Sequence, residues 1–199
     1  MTVAKAPEEL GPRARKTRKK IIDTALALIV EHGEKGVKMT DICERTGISR
    51  TTMYRHFGHL DEIVEAVYLK VRADFAKGLE DAIKANPAKE DRLDVVVNYL
   101  AEFFRGGLTQ KLNLTDPAFL RKLSLRNFDS RVKLYQKILE PFFDEVDAAK
   151  GSKVDRALVA YFITHFYASL SLYGEHSQPY PVESLIRKLI RGIAYLPDE

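Results

Sequence analysis

The sequence predicts an all-α protein, and three observations carry that reading. Apolar residues recur at spacings of three and four in nearly every segment, alternating apolar and polar runs bounded by turn signals are absent, and helix-starting and helix-stopping residues sit at the ends of the periodic stretches. With 199 residues, 45% apolar and 30% charged, the chain can bury about 70% of its unfolded surface in one or two domains. That composition excludes a disordered chain and a disulfide-stapled scaffold. The single Cys43 has no partner within the chain and reads as a small buried hydrophobe in a reducing, cytoplasmic setting. No targeting pattern of basic region, apolar core and small-residue cleavage site is read near the N-terminus.

Residues 1–14, with Pro7, Gly11 and Pro12, lack apolar periodicity and read as a mobile arm. From Arg15 a helix carries Ile22, Ala25, Leu26 and Ile29, and Gly33 is expected to close it in the left-handed conformation. Two short helices follow, Thr40–Thr46 and Ser49–Phe57, each opened by a hydroxyl suited to accept an orphan N–H. A longer helix, Asp61–Ala85, places Ile63, Val64, Val67, Val71, Phe75, Leu79 and Ile83 on one stripe and stops at Asn86-Pro87. Further helices are predicted at 91–105, 117–126 with Asp116-Pro117 as cap and first residue, 129–149 broken at Pro141, 154–176 and 182–195. Gly106-Gly107 followed by Thr109, Gln110, Lys111 and Asn113 reads as a flexible loop able to gate a pocket. Ala157–Gly174 is uncharged, but Thr164, His165, Ser169 and Ser171 interrupt it. A bilayer span needs about 20 predominantly apolar residues, so the segment is read as packed in a core or on another subunit, not in a membrane.

The formal charge of +4 is unevenly placed. Residues 1–60 hold 12 Lys/Arg against 7 Asp/Glu, whereas residues 61–199 hold 20 against 21. Much of the excess clusters in Arg13, Arg15, Lys16, Arg18, Lys19 and Lys20, at the start of the first helix, where it suits attraction to phosphates.

Between Met39 and Phe57, Ile42 faces inward, Gly47 makes a tight turn, Ile48 plugs the angle between two helices, and Met53 and Phe57 form an inward pair. Arg50, Thr51, Thr52, Tyr54, Arg55 and His56 are left on the outer faces. Two short helices joined by a glycine turn, the second polar and basic outside, describe a helix-turn-helix. Arg50 is the first candidate for base reading, because a guanidinium can bind guanine O6 and N7 bidentately. Thr51 is placed for a thymine methyl, and Lys38 and Thr40 sit at a helix N-terminus that favours an anion.

The stretch Thr40-Asp41-Ile42 … Gly47-Ile48-Ser49 … Thr52-Met53-Tyr54 … Phe57, followed by Asp61-Glu62-Ile63, resembles the N-terminal signature of TetR/AcrR-type transcriptional regulators. The resemblance covers about 50 residues, Ile21 to Tyr68. It implies a homodimer, a three-helix DNA-binding domain joined through a fourth helix to a ligand-binding domain, and repression relieved by a small molecule. It also assigns Thr52 and Tyr54 to phosphates. Two positions depart from the pattern: Thr51 stands where a glycine is common, and Leu60 where a lysine often meets a phosphate. The expected division is an arm at 1–14, a DNA-binding domain at 15–60 with Arg18 and Lys19 as phosphate contacts, and a sensing and dimerising domain at 61–199.

The C-terminal part is aromatic-rich, as suits an apolar ligand site with a few polar groups. Asn98, Phe103, Arg126, Tyr161, Phe162 and His165 are its candidate lining. Residues 154–176 and 182–195, the latter with Val182, Leu185, Ile186, Leu189, Ile190 and Ile193 on one stripe, are expected to pair across a two-fold axis as a four-helix bundle. His56 and His59 lack a third ligand, so no metal site is read, and no cofactor or catalytic constellation is visible. The expected partners are a double-stranded DNA operator, a small-molecule effector and a second copy of the chain. The competing reading is a helical small-molecule-binding protein with weak or no operator binding, prompted by Leu60.

Overall fold

The computed structural model describes residues 11–173 and 181–194, and every regular element among them is helical. In chain order these are α1 (Pro12–His32), a 3-10 turn (Glu34–Gly36), α2 (Met39–Thr46), α3 (Arg50–His56), α4 (Leu60–Ala85) and α5 (Arg92–Arg105). The rest are α6 (Gly107–Thr115), α7 (Pro117–Arg126), α8 (Phe128–Ile138), α9 (Glu140–Lys150), α10 (Arg156–Tyr173) and α11 (Val182–Ala194). Most predicted boundaries hold to within two residues, because local chemistry sets them. Ser49 accepts a bond from the Thr52 N–H and opens α3, Asp116 accepts from the Phe119 N–H and opens α7, and Pro141 splits the 129–149 segment into α8 and α9.

Four local expectations are corrected. Helix α1 starts at Pro12, inside the expected arm, since a proline suits a first helical position that needs no N–H; residues 1–10 of that arm lie outside the described residues. Gly33 does take a positive φ, 75°, but its ψ of 161° lies beyond the left-handed helical region and turns the chain directly into the 3-10 turn. Lys38, not Thr40, caps α2, because the Asp41 carboxylate accepts the Lys38 N–H at 2.9 Å and draws Met39 and Thr40 into the first turn. The expected gating loop is the helix α6: Leu108 and Leu112, four apart, turn into the core and outweigh the two glycines, the first of which serves as N-cap.

The apolar side chains form two cores. The first joins α1–α3 and the start of α4 through Ile21, Ile29, Ile42, Met53, Ile63 and Val67, and it also takes Leu112 from α6 and Phe119, Leu120 and Leu123 from α7. The second joins the end of α4, through Phe75 and Leu79, to α5 and α8–α11, with Tyr135, Phe142, Phe143, Ile163, Tyr167 and Ile186 at its centre. Helix α4, 26 residues and about 39 Å long, runs through both. Apolar packing therefore crosses the boundary expected at Leu60–Asp61.

Polar contacts reinforce the crossing. Asp116 accepts the Phe119 N–H at 2.9 Å with one carboxylate oxygen and the Glu34 N–H at 2.8 Å with the other, tying α7 to the turn after α1. Lys122 of α7 pairs with Glu34 at 2.6 Å. A Cβ on Gly33 would lie 3.3 Å from the Asp116 carboxylate, so this crossing is close as well as bonded.

Candidate nucleic-acid interface and cavity

Helices α2 and α3 meet at Gly47, whose φ of 68° and ψ of 19° are the left-handed geometry the turn requires. Ile42, Met53 and Phe57 are buried and Ile48 is half-buried against them, as the inward assignment predicts. On the outer side of α3, Arg50, Thr51, Tyr54 and Arg55 are exposed; their spacing of one, four and five residues puts them on a single face. Thr52 is half-buried, and its hydroxyl accepts a bond from Ser49 Oγ at 3.0 Å.

His56 is turned inward, contrary to its expected outer position. Burial lowers its pKa, and the neighbouring Arg55 and Arg18 charges lower it further, so the ring favours its neutral form. Arg18 is half-buried and committed within the fold: its guanidinium lies 3.9 Å from the Phe57 ring centroid and donates to the His56 carbonyl at 2.8 Å. Lys20 similarly donates to the Thr46 carbonyl at 2.6 Å. Both cations meet the carbonyl end of a short helix, where the helix dipole favours positive charge, and together they dock the basic end of α1 beside the helix-turn-helix. Sequence reasoning misses these fold-back contacts because they join residues far apart in the chain. Lys19 is exposed but pairs with Asp23 at 2.6 Å, Lys38 is exposed, and Thr40 is half-buried with its hydroxyl 3.3 Å from Asp41.

A narrow cavity of about 40 Å³ lies where the two cores meet. Val71, Leu112, Leu120 and Leu123 come to it from the first core, and Phe75, Phe103 and Phe104 from around the second. Arg72, Thr109, Ser124, Asn127 and Arg131 supply its polar groups. Of the six expected lining residues, only Phe103 is there. Asn98 accepts a bond from Arg187 at 2.6 Å, Arg126 pairs with Glu65 and lies 4.7 Å from the Tyr68 ring centroid, and Phe162 is half-buried beside Phe166. Tyr161 and His165 are exposed on α10 in a ring cluster with Phe128.

The lining residues that sequence reasoning misses include Arg131. One signal is available: Arg131, Tyr135 and Leu139 recur at intervals of four, so an arginine stands in register with a buried stripe. Among the described residues, no cluster of side chains could hold a metal ion, and no helix is long and apolar enough to cross a membrane.

Residues 21–67 match the family described as bacterial regulatory proteins, tetR family. The fatty acid metabolism regulator protein of Bacillus subtilis is 27% identical over 120 residues, which span 60% of this chain and 57% of that protein. The match therefore takes in little more than half the length of that curated relative. A TetR-family transcriptional regulator from Pectobacterium atrosepticum superposes with a TM-score of 0.69 at 14% identity, covering 96% of this chain and 100% of that one. FadR from Bacillus subtilis, solved in complex with stearoyl-CoA, gives a TM-score of 0.61 at 20% identity over 88% of this chain and 97% of that one. These likenesses join the helix-turn-helix described above, whose residues 21–67 carry the match to the tetR family of bacterial regulatory proteins, to one all-helical architecture.

Proposed function

We propose that the protein is a ligand-responsive, DNA-binding transcriptional repressor that acts as a homodimer in the cytoplasm and is not an enzyme. The observation that carries this reading is the exposed Arg50–Thr51–Tyr54–Arg55 face of α3, set on a core that α4, α6 and α7 share with the cavity. In this reading residues 15–60 contact the operator, with Arg50 on bases and Lys19, Lys38, Thr40, Thr52 and Tyr54 on phosphates, while residues 61–199 sense and dimerise.

The dimer is supported by α10 and α11. Leu158 and Tyr161 of α10 are exposed in the single chain and Leu185 and Leu189 of α11 are half-buried, so both helices offer apolar side chains to a second copy. Residues 174–176 and 195 of the proposed interface lie outside the described residues. A two-fold axis would present two α3 helices to successive major grooves of a palindromic site, about 34–36 Å apart.

An effector larger than the cavity must part its walls. Helices α6 and α7 form one wall, and α7 is bonded to the turn after α1 through Asp116 and Lys122, so displacement there would reach the helix-turn-helix by a path beside α4. The effector needs only to prefer the displaced state, with typical couplings of about 1–3 kcal/mol.

Fluorescence anisotropy with DNA flanking the protein's own gene tests the reading. Salt-dependent binding is expected, and Arg50→Ala should lose about 1–3 kcal/mol of discrimination at one position per half-site. Failure to bind any such fragment at moderate salt would favour a small-molecule-binding protein without an operator, the outcome to which Leu60 points.

A further inference from the structure

Among the described residues, Arg131 is a half-buried cation without a counter-ion. Its Nη2 donates to the Ser124 carbonyl at 2.7 Å, but its Nε is shielded from solvent and has no hydrogen-bond partner. One turn along α8, the Tyr135 hydroxyl is likewise shielded and unpartnered, within electrostatic reach of the guanidinium. No Asp or Glu stands among the described residues that line the cavity. Arg45 pairs with Glu31, Arg126 with Glu65, Arg156 with Asp144 and Asp147, and Arg187 with Asp94, whereas Arg92 shares the shielded, unpartnered Nε of Arg131 and donates to the Ile138 carbonyl, away from the cavity. A poorly solvated, unpaired charge and an unpaired buried hydroxyl are both costly, and an anion from outside the chain would satisfy both.

We infer that Arg131, assisted by the Tyr135 hydroxyl, receives the carboxylate of an amphiphilic effector whose apolar chain lies between the two cores. This rests on the cavity being the effector site, as proposed above. The guanidinium offers planar donors that match a carboxylate, and Phe75, Phe103, Phe104 and Leu120 offer the apolar surface for the chain. A monoanion balances the one half-buried positive charge of the lining, whereas a dianionic head would leave charge uncompensated in a poorly solvated site. The other charged residue of the lining, Arg72, is exposed to solvent.

The test is titration calorimetry on the full chain with octanoate, dodecanoate and hexadecanoate, beside 1-dodecanol and lauroyl-CoA. At least one carboxylate should bind, and Arg131→Gln should weaken it by about tenfold to a hundredfold while leaving dodecanol binding unchanged. Arg131→Lys should restore part of the loss, and Tyr135→Phe should weaken the carboxylate by a smaller factor. Equal carboxylate affinity in Arg131→Gln and the unaltered protein would overturn the inference. So would Arg131-dependent binding of lauroyl-CoA with no binding of the free acids. If dodecanol binds and releases DNA while the carboxylates ignore Arg131, the effector cavity stands and the carboxylate assignment falls. If no probe binds, both fall.

Discussion

The two cores differ in what fills them. The first is mainly aliphatic, and side chains from α1–α4, α6 and α7 interlock in it, with Phe119 stacked on Tyr68 at 4.9 Å between centroids. The second is built around rings: Phe75 meets Phe103 edge-on at 4.8 Å, Phe104 stacks on Tyr167 at 5.0 Å, and Tyr135 lies among them fully buried. The helix-turn-helix thus stands on interlocked aliphatic packing, and the cavity lies at the seam, walled by Val71, Leu112, Leu120 and Leu123 from that core and by Phe75, Phe103 and Phe104 from the aromatic side. In the proposed reading, the packing that fixes the helix-turn-helix also supplies one wall of the effector site, through α6 and α7.

Removing a side chain shared between the two lobes gives the largest expected effect. Phe119→Ala empties a fully buried site and should cost about 3–5 kcal/mol in denaturant unfolding. Because Phe119 belongs to α7 but packs in the first core, hydrogen exchange should show lost protection in α1 as well as α7. Unchanged protection in α1 would mean that the shared core does not couple the lobes.

Asp116→Ala should have a smaller effect on stability, about 1–2 kcal/mol for a lost helix cap, but a specific effect on signalling. The variant should bind operator DNA while showing a reduced ligand-induced change in affinity, measured by anisotropy with and without effector. An unaltered response would leave α4 as the route.

The smallest effect is in pH dependence, and it separates the lobes. The folded pKa of His56 is lowered, chiefly by burial, so its contribution is present above the unfolded value near 6.5 and is lost as pH falls through the lower folded value. Asp147, in the last turn of α9, is held at about 2, first by the Val154 N–H and then by Lys153 and Arg156. Its contribution is present above the ordinary carboxylate range and is fully lost only as pH falls through about 2. Acid titration followed by hydrogen exchange should therefore loosen the helix-turn-helix first, and His56→Gln should remove that early phase.

Much of the helical layout is legible in the sequence because caps, glycines, prolines and apolar stripes are local signals. Ser49, Asp116 and Pro141 mark boundaries that hold in three dimensions. Helix α6 escapes sequence reasoning because a short Leu108–Leu112 stripe competes with two glycines and four polar residues. The outer face of α3 is legible from its period, apart from His56, whose burial depends on α1 folding back through Arg18. The cavity is not legible, since its walls come from α4–α8 and only their packing decides which side chains face it.

Gly33 sets a limit on redesign. Its positive φ disfavours any side chain, and the same missing Cβ makes room for the Asp116 carboxylate that holds α7 to the turn. Turn geometry and the inter-lobe tie are therefore one constraint, which a substitution cannot relax singly. Leu108 and Phe104 carry no such double duty: they line the cavity through their side chains and stand apart from that tie. If the cavity takes the effector as proposed, substitutions at those two positions would change effector preference, as in building a biosensor for a new compound, while leaving the Gly33–Asp116 junction in place.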